Sequence, residues 1–133
     1  MTEIIYRNLR VTLLSNDDSF SLALAVASGH ADFTVFIPLT FEDHEKFKVD
    51  EERAAFLQAA LHHPFQLKET WLDENTQRDY LDNILHANRS ATEKFLTELD
   101  NHKANGAIAN MVRITTGKSY ESLRKGEWFT TSL

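Results

Sequence analysis

The chain has 133 residues, of which 42% are hydrophobic and 11% aromatic, and its formal net charge is −6. These values are typical of one globular domain over residues 1–133, and they exclude an intrinsically disordered chain. The absence of cysteine excludes disulfides and thiolate metal sites. There is no signal-peptide core and no apolar run near the roughly 20 residues of a membrane span, so we expect a cytoplasmic protein that does not enter a membrane.

The first third of the chain alternates apolar and polar residues with a period of two, which predicts β-strands. The expected strands are LRVTLLS, SFSLALAVAS and DFTVFIPL, separated by the turn clusters SNDDS and GHAD. We therefore predict a three-stranded antiparallel meander. Alanines and serines occupy every second position of the middle strand, and we expect a helix to pack closely on that face.

The remainder shows helical spacing, with four to five helices predicted to pack on the meander in an α+β fold. Asp50 is the expected cap of a helix that Pro64 stops. Thr76 with Asp79, and Ser90 with Glu93, resemble capping boxes for the next two helices. The helix that starts near Thr76 is expected to run to His86, and the helix that starts near Ser90 is expected to end at Asn105-Gly106. Ile108, Met111 and Val112 indicate a short helix or strand, Ser119 a further cap, and Trp128-Phe129 a segment docked on the core.

Gly117-Lys118-Ser119 has the ending of a phosphate-binding loop. The complete pattern needs a glycine five residues before Gly117, where the chain has Val112. A β-branched residue does not replace that glycine, and little chain remains to build a nucleotide-binding sheet. We expect a helix junction instead, with Gly117 as C-cap and Ser119 as N-cap, and therefore no nucleotide cofactor.

The six histidines, residues 30, 44, 62, 63, 86 and 102, lack the spacing of metal-ligand motifs. No nucleophile elbow is present, and the paired carboxylates lie where turns and helix N-termini account for them. The sequence therefore predicts no metal, no cofactor and no catalytic residue. The alternative is a small enzyme with an unrecognised site among His44, His62, His63 and nearby acids.

The acidic residues are unevenly distributed. Between Asp17 and Asp82 there are fourteen acids and five bases, whereas residues 101–133 contain two acids and five bases. A surface of this sign repels nucleic acid and suits a basic partner. An aromatic RNA-binding platform around Phe33, Phe36 and Phe41 is disfavoured because basic residues are sparse there.

The stretch IIYRNLRVTLLSNDDSFSLALAVASGHADFTVFIPLTFEDHEKF resembles the N-terminal part of small bacterial immunity proteins found beside polymorphic and contact-dependent growth-inhibition toxins. The features that carry the resemblance are the short first strand, the Asn16-Asp17-Asp18 turn, the SLALAVAS strand and the acidic stretch after the last strand. It covers about a third of the chain. It implies a cytoplasmic, non-enzymatic inhibitor that binds one secreted toxin domain, often a nuclease with a basic cleft.

On this hypothesis an acidic surface imitates nucleic acid, because opposite potentials steer association. The candidate partner-binding residues, chosen on charge alone, are Asp17, Asp18, Glu42, Asp43, Glu45, Glu51, Glu52, Asp73 and Glu74. A further alternative is an adaptor subunit that self-associates through Trp71, or through Trp128 and Phe129.

Overall fold

The computed structural model describes residues 1–29 and 31–130, which form an antiparallel sheet followed by helices. The sheet order is β1-β2-β3-β4, so each strand pairs with its neighbour in sequence. Its strands are β1 (Thr2–Tyr6), β2 (Val11–Asn16), β3 (Ser19–Ala27) and β4 (Asp32–Leu39). The helices are α1 (Phe41–Val49), α2 (Glu51–Phe65), α3 (Glu74–Leu81), α4 (Arg89–Leu99), α5 (Ala107–Thr116) and α6 (Tyr120–Arg124).

These elements confirm the α+β class, while the expected numbers of strands and helices were wrong. The additional strand is β1, which pairs with β2 from Thr2↔Ser15 to Tyr6↔Val11. The helix that the sequence analysis did not predict is α1, in the acidic stretch after β4. Across the described residues the totals are four strands and six α-helices.

The helices cover one face of the sheet. Leu13, Leu22 and Leu24 are fully buried on that face. On the opposite face the small residues of β3 stay half-buried, and Phe36 of β4 is 62% exposed. The expectation that a helix packs on the alanine face was therefore wrong, because the larger leucine and valine side chains bury more apolar area against the helices.

Helix α2 runs through the centre of the core. Every residue from Arg53 to His62 is buried, since α2 contacts β3 on one side and α3 and α5 on the other. Four alanines in this helix allow the neighbouring elements to approach closely. Asp50 caps α2 as predicted, but the expected stop at Pro64 was wrong, because Pro64 lies inside the last turn and the helix runs on to Phe65.

Helices α3 and α4 each continue into a π-helical turn, Asp82–His86 and Asp100–Ala104. The expected end at His86 is thus confirmed, as is the left-handed stop at Asn105. The two predicted capping boxes were wrong. The true N-caps are Asp73, which accepts from the backbone N–H of Thr76, and Asn88, which accepts from that of Ala91.

Candidate partner-binding surface

The β2–β3 turn and the β4–α1 junction meet at one end of the sheet. Asn16 pairs with Ser19, and Phe20 pairs with Leu39 at the end of β4. The ring centroid of Phe20 lies 5.7 Å from that of Phe41 and 5.1 Å from that of His44. Asp17 and Asp18 therefore lie at the same end of the molecule as the first turn of α1.

The start of α3 belongs to the same region. Glu74 lines a shallow depression of about 320 Å³ together with Thr40 and Arg78. Arg78 also donates two hydrogen bonds of 2.7 Å to the Asp43 carboxylate of α1. This pair ties α3 to α1 and brings the acids at the start of both helices to one side.

We call this region the acidic corner and define it by Asp17, Asp18, Phe41, Glu42, Glu45, Asp73 and Glu74. Its three segments, 16–20, 38–45 and 73–78, contain seven carboxylates and one arginine. Their formal charge of −6 equals that of the whole chain. The corner therefore carries a local excess of negative charge, part of which Lys48 offsets through its 2.9 Å ion pair with Glu45.

Asp43 is fully buried below the corner and does not face solvent. Its carboxylate accepts from the Thr40 backbone N–H at 2.8 Å and lies 2.7 Å from Nε2 of His86, besides the two bonds from Arg78. In return, the Thr40 hydroxyl accepts from the Asp43 N–H, so the two residues form a capping box. Of the nine candidates, Asp43 is thus placed as a structural anchor rather than at the surface.

The surroundings of Asp43 keep it ionised. Burial alone would raise the pKa of this carboxyl, but the hydrogen bonds from Arg78, the Thr40 backbone and His86 outweigh burial and lower the pKa to about 2. The pKa of the Arg78 guanidinium is raised in turn, chiefly by its bonds to Asp43. The charges of this pair largely cancel, which leaves the exposed acids to set the outward potential.

Three members of the acidic corner, Asp17, Asp73 and Glu45, are held by local structure. Asp17 adopts a positive φ of 56° in the β2–β3 turn, a conformation that aspartate tolerates better than most residues. Asp73 caps α3, and its hydrogen bonds with Thr76 lower the pKa of its carboxyl. The Glu45 pKa is lowered mainly by the bond from Lys48, with a second from His44. The Asp73 and Glu45 carboxyls therefore remain charged at neutral pH.

Phe41 places an aromatic side chain among these acids. Its residue surface is 57% exposed although one edge contacts Phe20. Phe41 was not among the candidate partner-binding residues, because these were chosen by charge alone. The signal was present: Thr40 followed by Asp43 has capping-box spacing, which predicts that Phe41 opens a helix at the surface.

Glu51 and Glu52 lie in a different place, at the start of α2. They line a cavity of about 550 Å³ with Tyr6 at the far end of β1 and with Lys118. The Glu52 carboxylate accepts from Nζ of Lys118 at 2.7 Å and from the Thr130 backbone N–H at 2.7 Å. The candidate acids therefore divide into two groups, and only one lies at the end of the molecule that carries Phe41.

The Gly117-Lys118-Ser119 segment is a helix junction, as predicted. Gly117 ends α5 with a φ of 80°, and the Ser119 hydroxyl accepts from the Ser122 backbone N–H to begin α6. Lys118 is engaged by Glu52 and by the Thr130 hydroxyl, at 2.8 Å from the latter. Its ammonium group is therefore used to fix the C-terminal segment.

The histidines of the enzyme alternative do not converge. His44 lies against Phe20 at the start of β3, and Nε2 of His62 accepts from the Ala27 backbone N–H at its end. Seven residues of extended strand separate the two contacts by about 23 Å. Burial lowers the pKa of His62. In the described residues no group of three or more His, Asp or Glu side chains is arranged to hold a metal ion, and His30 lies outside those residues.

The aromatic residues that suggested an adaptor subunit, Trp71, Trp128 and Phe129, pack against other residues of the same chain. Trp128 is fully buried and its ring contacts Phe56 edge-on, which confirms the predicted docking. Glu93 accepts from the backbone N–H groups of Trp128 and Phe129, so it anchors this segment and does not close a capping box. Trp71 remains 48% exposed, yet it stacks on Phe33 and donates to the carbonyl of Phe65.

No family model, curated protein or solved structure matches this chain. Among residues 1–29 and 31–130, no helix combines the length and the apolar content that a bilayer crossing requires.

Proposed function

We propose that this protein is a non-enzymatic binding protein of the immunity type, which neutralises a basic toxin domain by covering it with the acidic corner. The observation that carries the proposal is the group of exposed carboxylates at the end of the molecule where the Phe41 side chain is also exposed. Interfaces of high affinity combine a central aromatic anchor with complementary charge at the rim. The acidic corner offers both.

The anchoring of the acidic corner also supports binding. Its acids lie on a tight turn and on the first turns of two helices, and the buried Asp43–Arg78 pair joins those helices. Rigid elements lose less conformational entropy on association, so more of the contact energy is retained as affinity.

The choice of a toxin as partner rests on the resemblance of residues 4–47 to immunity proteins, together with the sign of the charge. A nuclease domain needs a basic cleft to hold its phosphate substrate. A cluster of carboxylates is complementary to such a cleft and would exclude the substrate from it. On this proposal the complex forms in the cytoplasm, where the target nucleic acid of the toxin lies.

The experiment is an affinity capture from a lysate of the native cell, with the full chain immobilised through its C-terminus. We expect one basic polypeptide at one-to-one stoichiometry, eluted by salt. When purified, that polypeptide should degrade RNA or DNA and lose this activity on addition of the protein. A captured polypeptide without a toxic or nucleolytic activity would overturn the toxin assignment. Capture of nothing, or only of further copies of the same chain, would overturn the binding role.

Two matched variants test whether the captured partner binds through the acidic corner. The test variant carries Asp18→Lys, Glu42→Lys and Glu74→Lys. The control carries Glu98→Lys, Glu121→Lys and Glu127→Lys, three exposed acids on the α4–α6 side. Both variants change the net charge equally, so non-specific attraction to basic proteins falls equally. We expect the control to capture the partner and the test variant to lose it.

A further inference from the structure

A cavity of about 380 Å³ lies between α2, α3, α4 and α5, on the side of α3 that faces away from the acidic corner. Arg78 and Glu74 point from α3 toward β4, whereas Thr76, Asp79 and Tyr80 line the cavity. Its volume falls in the range of small-molecule sites, roughly 300–1,000 Å³, and a position between packed helices is common for them.

The body of this cavity is apolar. Its walls include Ala60, Pro64, Leu72, Phe95, Leu99 and Ile108. The Phe95 ring packs edge-on against Tyr80 at a centroid distance of 5.6 Å, which fixes both rings. Apolar walls held in place by packing suit a ligand with an aliphatic or aromatic body.

The polar groups of the cavity are mainly donors. Lys103 enters from the π-helical turn after α4 and has no carboxylate partner in the part of the chain that the structure describes. His63 lies on the α2 wall. The acid at the rim, Asp79, already accepts from the Asn83 side-chain amide at 3.1 Å. The available groups therefore call for an acceptor on the ligand.

Tyr80 adds a hydroxyl donor beside the apolar wall. The residue is 6% exposed, and burial, with Asp79 nearby, raises the pKa of its hydroxyl. The hydroxyl therefore stays protonated at neutral pH and can donate to a ligand oxygen. Together, Lys103 and Tyr80 match a carboxylate, since charge-assisted hydrogen bonds are the stronger kind.

We propose that this cavity binds a small molecule with an aliphatic or aromatic body and a single carboxylate, which Lys103 and the Tyr80 hydroxyl hold. The inference is independent of the acidic corner and of any toxin partner. The π-helical turn that carries Lys103 is a feature often found at functional sites.

The experiment uses three probes of equal chain length, octanoate, octanol and octylamine, titrated into the full-length protein and followed by NMR. We expect saturable shifts of Tyr80, Phe95 and Ile108 with octanoate. Octanol should bind roughly tenfold more weakly, because it lacks the charged group that pairs with Lys103. Octylamine carries a positive charge, as Lys103 does, and should bind more weakly still.

Three variants separate effects on ligand binding from effects on the fold. Lys103→Met keeps the side-chain length at an exposed position and should remove the preference for octanoate over octanol, whereas Lys103→Arg should keep it. Thr76→Phe fills the cavity from a partly exposed position and should abolish the shifts with all three probes. Absence of saturable shifts with every probe in the wild type would overturn the site. Equal affinity for octanoate and octanol in the wild type would overturn the assignment of a carboxylate ligand.

Discussion

Two groups of carboxylates, at opposite ends of the sheet, show how differently the same residue type is used. At the start of α2, Glu52 accepts from Lys118 and from the Thr130 backbone, so its charge is neutralised within the fold. At the acidic corner, Asp18, Glu42 and Glu74 are exposed, and so is Phe41. Acid content alone therefore does not define a binding surface. What matters is which acids the fold leaves without an internal cation.

Asp43 differs from both groups, because it follows Glu42 of the acidic corner in sequence but is buried in the core. Removing the charge of Asp43 should produce the largest loss of stability. We expect Asp43→Asn to lower the free energy of unfolding by about 3 kcal/mol, since it leaves Arg78 and His86 without their buried partner. Urea denaturation measures this loss. Glu42→Gln, one residue away and exposed, should change stability by less than about 0.5 kcal/mol; equal losses in the two variants would refute the anchor role of Asp43.

The same anchor predicts a pH dependence. Because the folded pKa of Asp43 is about 2, below its ordinary value of 3.8, its ionisation stabilises the fold above pH 3.8. That contribution, about 2 kcal/mol, is lost as the pH falls from about 4 to 2. Unfolding curves of the wild type and Asp43→Asn should therefore converge over this interval. A constant difference down to pH 2 would argue against a lowered pKa.

Glu52 should show a smaller, local effect. Glu52→Gln removes the charge that holds Lys118 and Thr130, on a partly exposed carboxylate, and should cost about 1 kcal/mol. Hydrogen exchange at the Thr130 amide should accelerate, while exchange at Asp43 and Arg78 stays unchanged. Glu51→Gln, at the exposed neighbouring position, is the control, and it should leave the Thr130 amide as protected as in the wild type.

Reversal of the exposed acids should have the smallest effect on stability. The variant Asp18→Lys, Glu42→Lys, Glu74→Lys loses favourable interactions with the first turns of α1 and α3, worth about 0.3–1 kcal/mol for each helix. Reduced repulsion among the remaining acids offsets part of this loss. Thermal unfolding should therefore resemble that of the control with Glu98, Glu121 and Glu127 reversed. A much less stable test variant would mean that these acids serve the fold.

Local signals in the sequence predicted some of the helix ends correctly, although the capping boxes expected at Thr76 and Ser90 were wrong. Asp50, Gly117 and Ser119 act as the caps expected from their residue types and neighbours. β1 was missed because Ile4 and Ile5 are adjacent, which breaks the two-residue alternation. Helix α1 was missed because two of the residues it buries, Asp43 and His44, are polar. A pattern of apolar residues does not reveal a helix whose inward face carries an ion pair.

The candidate site was less predictable than the fold. The positions of the acids in the sequence indicated the segments that form the acidic corner, but not that the candidate acids divide into two groups. Asp43 contacts Arg78 and His86, which lie 35 and 43 residues further along the sequence. Such separations leave no periodic trace in a single sequence. Phe41 became a candidate only when the structure showed that it is exposed at the same end of the molecule as Asp17 and Asp18.

The most direct test of the acidic corner is the affinity of the captured partner for the wild type and for the two charge-reversed variants, measured by calorimetry at two salt concentrations. We predict that the control variant keeps the wild-type affinity within roughly threefold, whereas the Asp18, Glu42, Glu74 variant binds at least about 100-fold more weakly. The wild-type affinity should also fall as salt is raised. Equal affinities of the two variants would contradict the claim that the acidic corner is the binding surface.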